Sequence, residues 1–149
     1  MAVTETKSIE RTIEVNASPE TVFSFLVEPA KMRKWMSIGG EGDVRVGADY
    51  RLQVTKEDVA CGRYLEITPP SRLVMTWGWE GADAITPAGS TTLEFNLERK
   101  GAGTLVRLVH RDLPNEESAT KHGHGWEHYL KRLSVAAAGG DPGPDPFQE

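Results

Sequence analysis

The constraint that most limits this chain lies near its carboxy end, where Trp126, Tyr129, Leu130, Leu133 and Ala137 recur at helical spacing within the segment 115–138. This spacing predicts one long amphipathic helix with a single apolar stripe. Glycines 123 and 125 weaken its first turns, so the well-formed part is expected to begin near His124. Everything before it reads mostly as strands, so one helix is the only cover available for a whole sheet face.

Ile9, Arg11, Ile13 and Val15 alternate with polar residues as a half-buried strand does, with Arg11 interrupting the row. Ser18-Pro19-Glu20 then supplies a cap and a first-turn proline for a short helix that buries Val22, Phe23, Phe25 and Leu26. A second short helix is expected over Ala30 to Met36, with Met32, Trp35 and Met36 on one side. After a glycine-rich break at 37–42, strands are expected at 43–46, 49–56, 59–67, 72–80, 90–99 and 104–110, separated by turn residues. Leu73, Met75, Trp77 and Trp79 share one face of the fourth of these. The order predicts an α+β fold: a curved antiparallel sheet of six or seven strands wrapped around the long helix, with two short helices after strand one. A helix narrower than the sheet leaves a space beside it, and that space is the expected site.

Composition bounds the rest. A length of 149 residues suits one domain. Residues 8–138 are expected to form it, and the Gly/Pro-rich stretch 139–149 to be a disordered tail. Seventeen basic against 22 acidic side chains give a net charge of −5, which offers no broad field for phosphates and argues against nucleic-acid binding. The lone Cys61 cannot form an intramolecular disulfide, the first residues do not read as a secretory signal, and no window approaches the roughly 18 apolar residues of a membrane span. A cytoplasmic protein without membrane insertion is the expectation.

These elements resemble the START-like or Bet v 1-like helix-grip superfamily, also called SRPBCC. Within it, Lys34-Trp35, Val46-Gly47-Ala48-Asp49-Tyr50-Arg51-Leu52, Gly62 to Ile67, Pro69-Pro70, Arg72-Leu73-Val74, Thr76-Trp77 and Gly125-Trp126 are similar to the branch named for activators of the heat-shock protein 90 ATPase. The resemblance implies three activities: carriage of hydrophobic ligands, a stress-response co-chaperone role through protein contact, or cyclase-like or hydrolytic chemistry. The branch's eukaryotic co-chaperone has two domains, and this chain has room for the carboxy-terminal type alone.

Four kinds of residue could serve such a site. Trp77, Trp79 and Met75, with Phe95, Trp126 and Tyr129, could line an apolar cavity, the competing reading being ordinary sheet-to-helix core. Trp35 and Met36 stand at a natural cavity lip, although anchoring of its short helix to the sheet is the favoured reading of Trp35. Tyr50 and Tyr64 could place hydroxyls at the cavity. His110 is the best candidate for a general base, since imidazole titrates near neutrality.

His124 and His128 stand four apart on one helix face, but no third ligand or HEXXH is evident, so no metal is expected. Cys61 reads as a buried inert thiol. No catalytic residue and no cofactor is assigned. The first expectation is a small hydrophobic or amphipathic ligand, with a chaperone, another protein or a second copy of the chain as the alternative partners.

Overall fold

In a computed structural model, which describes residues 6–81 and 84–148, the described residues form seven strands, three α-helices and one short 3-10 helix at Pro146–Gln148. The strands are β1 (Lys7–Val15), β2 (Gly39–Glu41), β3 (Asp49–Gln53), β4 (Val59–Thr68), β5 (Arg72–Trp77), β6 (Thr91–Lys100) and β7 (Gly103–Leu113). Helices α1 (Pro19–Val27) and α2 (Pro29–Met32) follow β1, and α3 (Glu116–Ala137) follows β7. All strands join in one sheet of order β1-β7-β6-β5-β4-β3-β2, antiparallel at every pairing. This is the helix-grip arrangement expected from the order of elements.

The inner face follows the period of two. Leu73, Met75 and Trp77 on β5, Leu93, Phe95 and Leu97 on β6, and Val106, Leu108 and His110 on β7 are all buried. They meet Trp126, Tyr129, Leu130 and Leu133 of α3 in one core. Arg11, which breaks the row on β1, turns its guanidinium to Glu127 of α3 at 3.0 Å. Beside it, a Cβ at Gly123 would come within 2.7 Å of Arg11 Nη2. The glycine therefore lets α3 settle close to β1, at one edge of the sheet.

On the outer face, Glu94 is 7% exposed and holds two guanidinium groups, those of Arg72 and Arg111. Arg72 also binds Glu66 at 3.1 Å, and the cluster zips β4 to β7 across β5 and β6. Arg63 and Arg107, the other cations that interrupt apolar rows, face outward to Asp49 and Glu10.

Three local expectations are corrected. No strand forms at 43–46: Gly42 and Gly47 take φ of +119° and +87°, which bend the chain on either side of it. Val46 is 59% exposed there, and the edge strand forms instead at Gly39–Glu41 against Arg51–Gln53. Helix α3 begins at Glu116, well before His124, because Asn115 Oδ1 accepts the Ser118 N–H at 2.9 Å and burial of Ser118 and Ala119 offsets the cost of the two glycines. Residues 139–148, expected to be a disordered tail, fold back along α3. Gly139 enters the left-handed region at φ +94°, Arg132 Nη1 reaches the Pro142 carbonyl at 3.4 Å, and Asp145 is 4% exposed. A composition count cannot see that Asp145 and Phe147 have partners waiting on the helix.

Candidate functional site

With α3 pressed to the β1 side, a cavity of about 640 Å³ opens between the helix and the β5 end of the sheet. That is within the usual size for a small-molecule pocket. Ser118, His122, Gly125, Trp126 and Tyr129 form one wall, at the three- and four-residue steps that stack side chains on one helix face. Trp77 and Trp79 form the opposite wall. Met36, Val54 and Ile85 add apolar surface, Thr86 meets Ser118 Oγ at 2.5 Å, and Phe147 of the returning tail closes one side. Gly78 sets the depth of the Trp77–Trp79 wall: a Cβ there would strike the Pro87 carbonyl, so only glycine lets residues 86–88 lie across the end of β5.

The rings pack on one another. Trp77 meets Trp79 edge-on at 5.6 Å between centroids and Trp126 at 5.2 Å, and Phe95 meets Trp126 edge-on at 5.9 Å. Trp79 Nε1 donates to His122 Nε2 at 2.9 Å, which leaves the imidazole proton on Nδ1, donated to the Ser118 carbonyl at 2.8 Å. Burial holds the His122 pKa below its ordinary value.

His110 is tied the other way round. Its Nδ1 accepts from Trp126 Nε1 at 3.1 Å, so Nε2 carries the proton and gives it to Thr91 Oγ1 at 2.7 Å. The Thr91 hydroxyl passes its own proton to the Trp77 carbonyl at 2.7 Å. Burial first, and the neighbouring His122 second, push the His110 pKa down to about 3. Both nitrogens are committed, so this histidine braces β5, β6, β7 and α3 and has no lone pair for a substrate proton. Cys61 donates to Glu80 Oε2 at 3.0 Å, and burial together with that carboxylate raises the thiol to about 11, which keeps it un-ionised. Glu80 is held down at about 2, chiefly by Arg51, whose Nε lies 2.6 Å away.

Of the residues singled out from sequence, Met36, Trp77, Trp79, Trp126 and Tyr129 stand around the cavity. Tyr50, Tyr64 and Met75 line a separate space of about 80 Å³ beside α2 and β3, where Tyr50 Oη donates to the Thr76 carbonyl at 2.5 Å. Trp35, Phe95 and His110 lie in the core: Trp35 Nε1 donates to the Phe25 carbonyl at 2.9 Å, anchoring the turn after α2 to α1. Sequence reasoning missed Ser118, His122, Gly125 and Phe147 as wall residues. The first three continue the helical period of Trp126 and Tyr129 and were readable from it. Phe147 was not, because it reaches the cavity only through the turn of the tail.

That tail makes a strap. Asp145 Oδ1 accepts from His128 Nε2 at 2.8 Å and from the Phe147 N–H at 3.0 Å, and the Phe147 ring lies 4.1 Å from His128 and 6.0 Å from Tyr129, between centroids. The described residues hold no group of three or more metal-ligating side chains. His124 points to solvent while His128 serves the strap. No helix among the described residues is long and apolar enough to cross a membrane.

A curved antiparallel sheet gripping one long helix, with a cavity between them, defines a protein of the Bet v 1-like, SRPBCC class. Within that class the chain belongs to the family described as activator of Hsp90 ATPase homolog 1-like protein, whose pattern matches residues 16–138. It is similar to the AHSA1-like protein of Rhizobium etli, with 39% identity over 97% of this chain and 90% of that one and a TM-score of 0.77. It is also similar to CalU16 of Micromonospora echinospora, at 32% identity over 95% of this chain and 71% of that one, TM-score 0.77. The fold is shared with a protein described as the Aha1 dimer of Colwellia psychrerythraea, at 22% identity over 90% of this chain and 98% of that one, TM-score 0.76. A comparison with curated proteins found no match.

Proposed function

We propose that this protein binds a small hydrophobic or amphipathic molecule in the cavity between α3 and β5. The observation that carries the reading is the cavity itself: about 640 Å³ walled by Trp77, Trp79, Trp126, Tyr129 and Phe147, with its polar groups gathered at Thr86–Ser118 and toward Asp58, Glu80 and Lys121. A filled core would have collapsed this volume, since leaving apolar surface uncovered forfeits roughly 25 cal/mol per Å². The histidines favour binding over catalysis, because both imidazoles near the cavity are neutral and fully engaged.

The test is a titration of the full chain with 1-anilinonaphthalene-8-sulfonate, following both probe emission and tryptophan quenching. Saturable one-to-one binding supports the reading. Absence of any change up to millimolar probe rejects it.

A second reading, protein contact as in the co-chaperones that name the family, is favoured by Val46 and Leu65. They are 59% and 47% exposed, and the backbone bond from Gly47 N to the Tyr64 carbonyl joins their two segments. A stimulated ATPase rate of heat-shock protein 90, lost in Val46→Asp/Leu65→Asp, supports that reading; an unstimulated rate rejects it.

A further inference from the structure

Among the described residues, three charged side chains line the cavity between α3 and β5: Asp58, Glu80 and Lys121. Two of them are already countered. Glu80 turns its carboxylate to Arg51, whose Nε lies 2.6 Å away, and Lys121 Nζ stands 3.2 Å from Glu117. Asp58 is the one of the three with no ion-pair partner among the described residues.

The turn between β3 and β4 holds Asp58 in place. The Thr55 hydroxyl donates to Asp58 Oδ2 at 2.9 Å and accepts the Asp58 N–H at 3.0 Å, which leaves Oδ1 without a donor among the described residues. Two positions further on, Ala60 bridges Trp79, so the period of two puts Asp58 on the Trp79 side of the sheet, at the solvent-exposed end of the cavity. Its charge reaches the opposite wall: burial chiefly, and then Asp145, raises the Tyr129 hydroxyl above its ordinary value, with Arg132 opposing them and Asp58 adding to them. Burial works against ionisation of Asp145, but the Phe147 N–H, Tyr129 and His128 outweigh it, so a second negative charge stands behind that wall. Trp79 and Phe147, neither fully buried, add aromatic surface that attracts cations.

Resting on the reading of the cavity as a ligand site, we infer that its ligand is an apolar molecule carrying a protonated amine at its outer end, with the Asp58 carboxylate as the counter-ion. The aromatic walls take the apolar body and the mouth takes the charge. An anionic head at the same place would face Asp58 with Lys121 already committed to Glu117.

The test compares 2-naphthylethylamine, 2-naphthylethanol and 2-naphthylacetate, which share the ring and differ in the charge of the head, by calorimetric titration of the full chain at low ionic strength. The amine is expected to bind about three- to fivefold more tightly than the alcohol, the worth of one ion pair open to water, and the carboxylate more weakly than the alcohol. In Asp58→Asn, which keeps an acceptor for Thr55 and whose fold is checked by circular dichroism, the amine is expected to fall to the affinity of the alcohol while the alcohol is unchanged. Glu57→Gln removes the same charge one residue away and is expected to leave the preference in place.

Equal affinities of amine and alcohol in the wild type, a carboxylate bound as tightly as the amine, a preference that survives in Asp58→Asn, or one lost equally in Glu57→Gln would each overturn the inference while leaving the cavity reading intact. If none of the three compounds binds, the cavity reading itself fails and the inference falls with it.

Discussion

Trp126 Nε1 donates to His110 Nδ1 at 3.1 Å, and this one bond fixes the tautomer of a histidine that is 0% exposed. Protonating His110 would set two donors against each other and place a charge in the core. The unfolded chain takes up that proton near the ordinary histidine value of about 6.5, and the folded chain not until about 3. Within that window the unfolded state therefore binds more protons, and stability falls as pH falls. The expected slope approaches 1.4 kcal/mol per pH unit for this group, beginning below about pH 6.5, and His122, lowered for the same reason, adds to it. Urea unfolding between pH 7.5 and 5.5, where the carboxylates stay ionised, measures it; a flat midpoint would contradict the assignment.

Gly125 lines the cavity, and a Cβ built on it meets no atom within 4 Å. Gly125→Ala should therefore stabilise the protein by about 1 kcal/mol through helix propensity, and still bind the naphthalene probe. Gly125→Phe should keep the fold and lower probe affinity at least about tenfold, by filling the space. Thermal unfolding and probe titration of the two variants separate helix stability from cavity access.

The strap should govern how long a ligand stays. Phe147 borders the cavity and Asp145 holds it there through His128. Asp145→Ala and Phe147→Ala are expected to raise probe dissociation rates several-fold, with less than about 1 kcal/mol lost from global stability. Stopped-flow displacement reads the rate, and unchanged dissociation in both variants would show that the strap does not close the site.

Glu94 gives the control on the opposite face. Removing it leaves Arg72 and Arg111 without their shared carboxylate. Because both guanidiniums are partly open to water, the expected cost of Glu94→Ala is about 1–2 kcal/mol, below that of a fully buried pair. Probe affinity at 25 °C should not change. A loss of affinity as large as that in Gly125→Phe would mean that the cavity is not the binding place.

How much was readable from sequence follows from which residues act locally. The Trp126–Leu133 stripe, the Ser18-Pro19 start of α1 and the alternation of β5 are set by neighbours within a few positions, and from them the sheet and the gripping helix were legible. Trp35, Phe95 and His110 are buried in the core and do not border the cavity, a distinction the sequence does not carry because burial and lining look alike in a period-two or helical pattern. Only the partner, Phe25 for Trp35 or Trp126 for His110, tells them apart. The strap was hidden because its contacts join Asp145 to His128 across a glycine turn. The β2 shift was hidden because Gly42 and Gly47 bend a segment whose valines, read alone, suit a strand.

The central claim is that the space between α3 and β5 receives the ligand. It is tested most directly by amide and indole nuclear magnetic resonance of the isotope-labelled chain during addition of 2-naphthylethanol. The account predicts shifts confined to Trp77, Trp79, Ser118, His122, Gly125, Tyr129 and Phe147, with Arg72, Glu94 and Arg111 on the outer face unmoved. Shifts centred on the outer face or on Val46 and Leu65, or no shifts at saturating alcohol, would contradict it.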